Sequence, residues 1–126
     1  MSQRWVILQH TLSQESLEGM HFDLLLEDNG SCRTWRLPCI PDIDGPSVSA
    51  TPLLPHKLHW LEREAGAVSG GRGWAKRIVG GKFYGSLPFE KDGDISININ
   101  SSNLTGRLFL SNNLCQITCF SNFDVI

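Results

Sequence analysis

The sequence predicts a mainly all-β domain of short antiparallel strands with one or two short helices, on three observations. Turn signals recur roughly every 8 to 12 residues, the spacing of a barrel or a sandwich. The runs between them alternate apolar and polar residues with the period of a strand, as at Ile95, Ile97 and Ile99. No stretch carries the apolar stripe of a long amphipathic helix, and no internal repeat is visible. At 126 residues, with 40% hydrophobic residues, four Trp and six Phe, the chain reads as one domain over residues 1–126 with material for a single core.

Taken in order, residues 4–9 form a β-rich run that leaves His10 at a strand terminus, where a side chain can turn into a cleft. Residues 11–19 are polar, end in Gly19 and read as a loop with room for one helical turn. Residues 20–27 read as a buried strand with Phe22, Leu24 and Leu26 on one face and His21, Asp23, Leu25 and Glu27 on the other. Residues 28–31, Asp-Asn-Gly-Ser, signal a hairpin, and residues 32–37 alternate as its return strand. That hairpin brings Arg33 or Arg36 beside His21 and Asp23, the register deciding which. A proline-rich loop over 38–46 leads to a short strand over 47–53, and Pro55 then precedes His56 and His59, which fit either one helix face or a single turn. The glycine-rich residues 68–73 read as a turn, or as a loop whose amides and Arg72 approach a phosphate. The rest reads as a meander: strands over 74–79, 82–87, 94–100, 104–110 and 114–120, with turns at Gly80-Gly81 and Asp92-Gly93.

The net charge is −2, which argues against a broad electrostatic grip on nucleic acid, but it is unevenly placed. Residues 72–91 carry five basic groups and one acidic group inside an otherwise acidic chain, either a local phosphate-binding patch or a solvated strand pair. The four cysteines are separated by six residues (Cys32, Cys39) and by three (Cys115, Cys119), neither being a zinc-ribbon or redox spacing. Cys115, Ile117 and Cys119 share one strand face, as small buried thiols do in a reducing compartment. No window approaches the roughly 18 apolar residues of a spanning helix, and residues 1–5 run into a strand without a signal-peptide core. The expectation is a soluble cytoplasmic monomer.

His21 and Asp23, two apart on one strand face, offer an imidazole nitrogen and a carboxylate oxygen to a common point, the donor mix that suits manganese, iron or zinc. Taken alone, the pair fits a hydrogen-bonded couple at a strand end better than a metal or acid/base site. Further ligands have to come from other segments.

In sequence order, Gln9-His10, His21-Phe-Asp23-Leu-Leu-Leu-Glu27, Thr34-Trp35-Arg36-Leu37-Pro38, His56-Lys-Leu-His-Trp60 and Ser69-Gly-Gly-Arg72-Gly resemble the landmarks of the 3′-phosphoesterase domain of bacterial DNA ligase D. The likeness covers roughly residues 4–111 and looks closest to the short stand-alone branch of that family. It implies a compact antiparallel β-barrel with a Mn²⁺ or other divalent transition metal held by His10, His21 and Asp23, and with His56 on the scissile phosphate. It also implies a DNA or RNA 3′ end as substrate, with any repair ligase or polymerase acting in trans. The family's strand arginine is replaced by Leu25, and an acidic residue of its motif by Leu54. The loop between His10 and His21 is also about five residues longer than the family's. Phosphate-clamping charge is therefore expected from Arg72, with Arg36 or Arg77 as the alternative. Two rivals follow from the same residues: a module of this fold that binds a nucleic-acid end without cutting it, and a non-haem iron oxygenase using His21, Asp23 and His56.

Overall fold

The fold starts from its turns. Asn29, at φ 59°, lets residues 29 and 30 reverse the chain between two strands, and Asn112 and Asn113, at φ 53° and 59°, do the same further on. The computed structural model describes residues 3–120. Ten strands occupy them: β1 Gln3–Thr11, β2 His21–Asp28, β3 Ser31–Leu37, β4 Val48–Ser49, β5 Thr51–His56, β6 Ala65–Ala67, β7 Trp74–Tyr84, β8 Ile95–Asn100, β9 Gly106–Ser111 and β10 Leu114–Thr118. Two short 3₁₀ turns, Leu58–Leu61 and Ser69–Gly71, are the helical content. The loop after β1 makes no helical turn; a bridge between Ser13 and Ser16 folds it instead.

All strand ladders are antiparallel, in the order β4-β10-β9-β8-β7-β1-β2-β3-β5, with β6 added on β7. The all-β expectation holds, and the closed barrel does not. β4 pairs with β10 and β5 with β3, so the two ends of the path are successive pieces of one extended chain meeting at Ala50. Pro52 and Pro55 supply no N–H, so this segment passes from one neighbour to the other instead of laddering both. The expected Gly80-Gly81 turn is also absent. β7 runs straight through both glycines because a Cβ at Gly80 would meet the Trp5 carbonyl at 2.8 Å, and one at Gly81 would collide with the Asn100 carbonyl. The pair permits close strand approach and ends no strand.

The sheet coils so that its two halves share one core: Trp5, Ile7, Leu24, Leu26 and Trp35 meet Phe83, Ile97, Ile99, Leu108 and Ile117. The reverse face of β1–β3 is covered as well. Val6, Leu8, Leu25 and Cys32 pack beneath Trp60 and Leu61 of the first 3₁₀ turn. Burial on both faces explains the unbroken runs Trp5-Val-Ile-Leu8 and Leu24-Leu-Leu26, where a one-sided strand would alternate. Each such fully buried side chain contributes about 1.5–3 kcal/mol. No helix among the described residues is long and apolar enough to cross a membrane.

All four thiols are free, and they divide by burial. Burial pushes Cys115 up to about 12 and Cys32 up to about 11, whereas Cys39 and Cys119 are exposed. Cys119 follows the end of β10 and does not share the buried face of Cys115 and Ile117. A thiol reagent at pH 8 is expected to label two cysteines in the native protein and four in denaturant. Rapid native labelling of Cys32 or Cys115 would contradict this packing.

Candidate metal centre and its cleft

Strand register assembles the site. The β1–β2 ladder sets His10 opposite His21 and Leu8 opposite Asp23, and the β2–β3 ladder sets Arg36 opposite Asp23. Side chains opposite or diagonal on one face of an antiparallel pair lie within contact range of each other. His10, His21, Asp23 and Arg36 therefore converge on the face of β1–β3 turned away from the main core. The register also settles the arginine. Arg36 faces the site, while Arg33 donates its Nε to Asp28 at 2.7 Å.

Asp23 is the hub. Its carboxylate lies 3.9 Å from His10 Nδ1, 3.6 Å from His21 Nε2, 3.8 Å from Arg36 Nε and 4.0 Å from His56 Nε2. The residue is only 5% exposed, and its Oδ1 has no hydrogen-bond partner among the described residues. Oδ1 lies near the nitrogens of His21 and Arg36 and is bonded to neither, which is unusual, since buried carboxylate oxygens are ordinarily satisfied.

The far nitrogen of each histidine fixes its tautomer. His10 Nε2 lies 2.6 Å from the Arg72 carbonyl, His21 Nδ1 3.2 Å from the Gly19 carbonyl and His56 Nδ1 3.1 Å from the Leu54 carbonyl. A carbonyl only accepts, so each of these nitrogens carries the hydrogen and donates it. In the neutral ring, the opposite nitrogen then presents a lone pair toward Asp23. Burial lowers the His21 pKa against the pull of Asp23, with Arg36 and His10 adding to the decrease, so its ring is held neutral. His10 Nδ1 and His21 Nε2 are 2.8 Å apart, too close for two lone pairs unless a proton or a cation lies between them.

Ligating atoms of His10, His21 and Asp23 all lie within 4.8 Å of one another, and this is the metal-competent group among the described residues. Two imidazoles and a carboxylate, each imidazole anchored by a backbone carbonyl, fit a divalent transition metal. His56 stands beside Asp23 and outside this group, so the facial triad of an iron oxygenase is not the set the fold brings together.

The cluster opens into a cleft of about 570 Å³ formed under β5, the first 3₁₀ turn and the glycine loop. The glycine loop, which the sequence offers as a turn or as an approach to a phosphate, positions a ring nitrogen through its backbone. Gly70, Gly71 and Gly73 at φ 75°, 68° and 105° fold it so that the Arg72 carbonyl meets His10. The Arg72 guanidinium is meanwhile tied to Ser69, through Nε to the carbonyl at 2.8 Å and through Nη2 to the hydroxyl at 3.1 Å. Arg77 is spent on the Leu61 carbonyl at 2.9 Å and does not line the cleft. Glu27, on the same strand face as Asp23, is taken by Arg4, whose Nε and backbone N–H both donate to Oε1; these bonds lower its pKa.

Of the basic block over 72–91, only Arg72 reaches the cleft, so the block is not the patch. The cleft instead draws Arg36, Lys57, Arg63 and Arg72 from four segments. Lys57 and Arg63 were not singled out from sequence; the signal available for Arg63 was its position three residues after Trp60, over which its guanidinium lies 5.3 Å from the ring centroid. Leu25 is fully buried beneath Trp60, and Leu54 is 86% exposed on the cleft rim. No family model and no curated protein matches this chain.

Proposed function

We propose that this protein is a divalent-metal-dependent phosphoesterase acting on nucleic-acid 3′ ends, removing a 3′-phosphate or a 3′-terminal ribonucleotide. The observation that carries the reading is the convergence of three histidine ring nitrogens and Arg36 on one buried, unsatisfied carboxylate at the floor of a cationic cleft. His10, His21 and Asp23 would hold the metal, Mn²⁺ being the choice that suits mixed nitrogen and oxygen donors. Such an ion supplies positive charge to phosphoryl oxygens and lowers the pKa of a bound water.

The chain's own groups supply the rest. Arg36 sits across the strand pair from Asp23, with its side chain nearly half exposed at the cleft, so it can present a planar pair of donors to a phosphate. It provides the charge that the buried Leu25 cannot. His56 directs Nε2 into the cleft with Nδ1 anchored on Leu54, so a proton taken up at Nε2 can pass to a leaving oxygen. A repair ligase or polymerase acting in trans would take the resulting 3′-hydroxyl end.

The test is release of inorganic phosphate or a terminal ribonucleoside from a 3′-modified primer. Turnover is expected with Mn²⁺, lost in chelator and restored by added metal. His56→Ala is expected to lower kcat by about 100-fold or more, the usual contribution of a positioned acid, with KM much less affected. The exposed apolar Leu54 where a carboxylate would assist favours a second reading, an end-binding module without chemistry. Mn²⁺-dependent binding of a 3′ end with no turnover at any metal concentration would select it.

A further inference from the structure

We infer that Arg63 forms a second anion subsite, which takes the internucleotide phosphate next to the reacting one, so that the substrate is at least a dinucleotide end and not a mononucleotide. The inference deepens the proposed function and rests on it. It starts from charge. Four cationic side chains and one carboxylate line the cleft, in a protein of net charge −2. A divalent ion on Asp23 together with Arg36 already offsets a single phosphate dianion. Lys57, Arg63 and Arg72 remain, which is more positive charge than one phosphate group can use.

Arg63 is the one of these three that the fold presents as a built donor. Its guanidinium lies over the Trp60 ring, and its Nε donates to the Ala65 carbonyl at 3.2 Å. On another side it lies against Gly66, where an added Cβ would collide with the guanidinium carbon and Nη2. Aromatic ring, carbonyl and glycine fix the plane of an exposed arginine whose two Nη groups have no hydrogen-bond partner among the described residues. A fixed guanidinium with both terminal amines free suits two phosphate oxygens, and its ordering cost is met before the ligand arrives. Arg72, by contrast, has two of its three nitrogens engaged by Ser69, and Lys57 carries no comparable bracing. Cleft residues also include Leu53, Leu54 and Pro55, an apolar lip that a base or ribose between the two phosphates can rest on.

The subsite is tested by competition against a fluorescent 3′-hydroxyl oligonucleotide, read by anisotropy so that no turnover is needed. The competitors are a nucleoside 3′-monophosphate and a dinucleotide with a 3′-phosphate. The dinucleotide is expected to compete about tenfold better on the wild-type protein, the effect of one charge-assisted contact. That advantage is expected to vanish in Arg63→Ala, to shrink in Gly66→Ala and to survive in part in Arg63→Lys, with thermal melts confirming that each variant folds. An advantage unchanged in Arg63→Ala, or no oligonucleotide binding at all, overturns the subsite. Pyrophosphate competing as well as the dinucleotide overturns the internucleotide assignment. An Arg63-dependent advantage in a protein without turnover supports the subsite and removes only the enzymatic reading.

Discussion

Asp23→Asn is expected to abolish Mn²⁺ binding and turnover while leaving the fold standing. The substitution is nearly isosteric at a position 5% exposed, so packing around β2 is kept. It removes the only anionic donor of the metal group, and the two imidazoles that remain make a weak site for manganese. Metal-free stability is expected to change by no more than about 1 kcal/mol, because the carboxylate already leaves Oδ1 without a hydrogen bond and loses little by becoming an amide. Metal at about 100 times its Kd is expected to stabilise the wild-type protein by about 2.7 kcal/mol. For a chain of this size that is a rise in Tm on the order of 10 °C. Calorimetry with and without Mn²⁺ should therefore show the rise in wild type and none in Asp23→Asn. An undiminished rise in the variant would place the metal elsewhere, and the three-residue centre would fall.

How much of this was legible beforehand differs between the site and its surroundings. His21 and Asp23 were readable as one face of one strand because alternation is a local property of the backbone. Leu24 and Leu26 opposed to Leu25 obeyed the same rule, and the structure keeps them on separate cores. Arg36 was readable only as one of two candidates. Choosing it over Arg33 required the β2–β3 register, which a turn constrains but does not announce. Arg63 was illegible for a deeper reason. Its bracing comes from Trp60, Ala65 and Gly66, close in sequence yet folded over a cleft whose other wall lies on β2 and β3.

Sheet closure and glycine use were misjudged for related reasons. A Gly-Gly pair is a turn signal in isolation, and only the neighbouring carbonyls of Trp5 and Asn100 turn it into a straight strand with no room for side chains. Whether ten short strands close depends on where the last meets the first. Here one proline-containing segment serves both edges in succession, so the coil of the sheet is completed by chain continuity at Ala50 and not by a ladder. The charge map left two readings open, and only Arg72 of the contiguous basic block over 72–91 lines the cleft, whose other cations, Arg36, Lys57 and Arg63, come from elsewhere in the chain.

Gly73→Ala is expected to weaken metal binding about 10- to 100-fold, although residue 73 donates nothing to the metal, because it sets the carbonyl that sets His10. At φ 105° the position is strained for any L side chain, at about 1–3 kcal/mol. An added Cβ would also collide with the Thr11 carbonyl and lie 3.1 Å from His10 Nε2. The glycine loop must then retreat from β1, and the hydrogen bond from His10 Nε2 to Arg72 is lost. Released from it, His10 is free to take the other tautomer and place its hydrogen on Nδ1, the atom that faces His21 and Asp23. Two controls separate this from general damage. Gly71→Ala shares the positive φ, at 68°, but meets nothing within 4 Å, so it should cost stability without the loss of affinity. Arg72→Ala keeps the carbonyl and removes only the guanidinium, so Mn²⁺ affinity should hold. Nitrogen-15 shifts of the His10 ring report the tautomer directly. A Gly73→Ala protein whose His10 still carries its hydrogen on Nε2 and binds Mn²⁺ as the wild type does would mean that the loop does not govern the site.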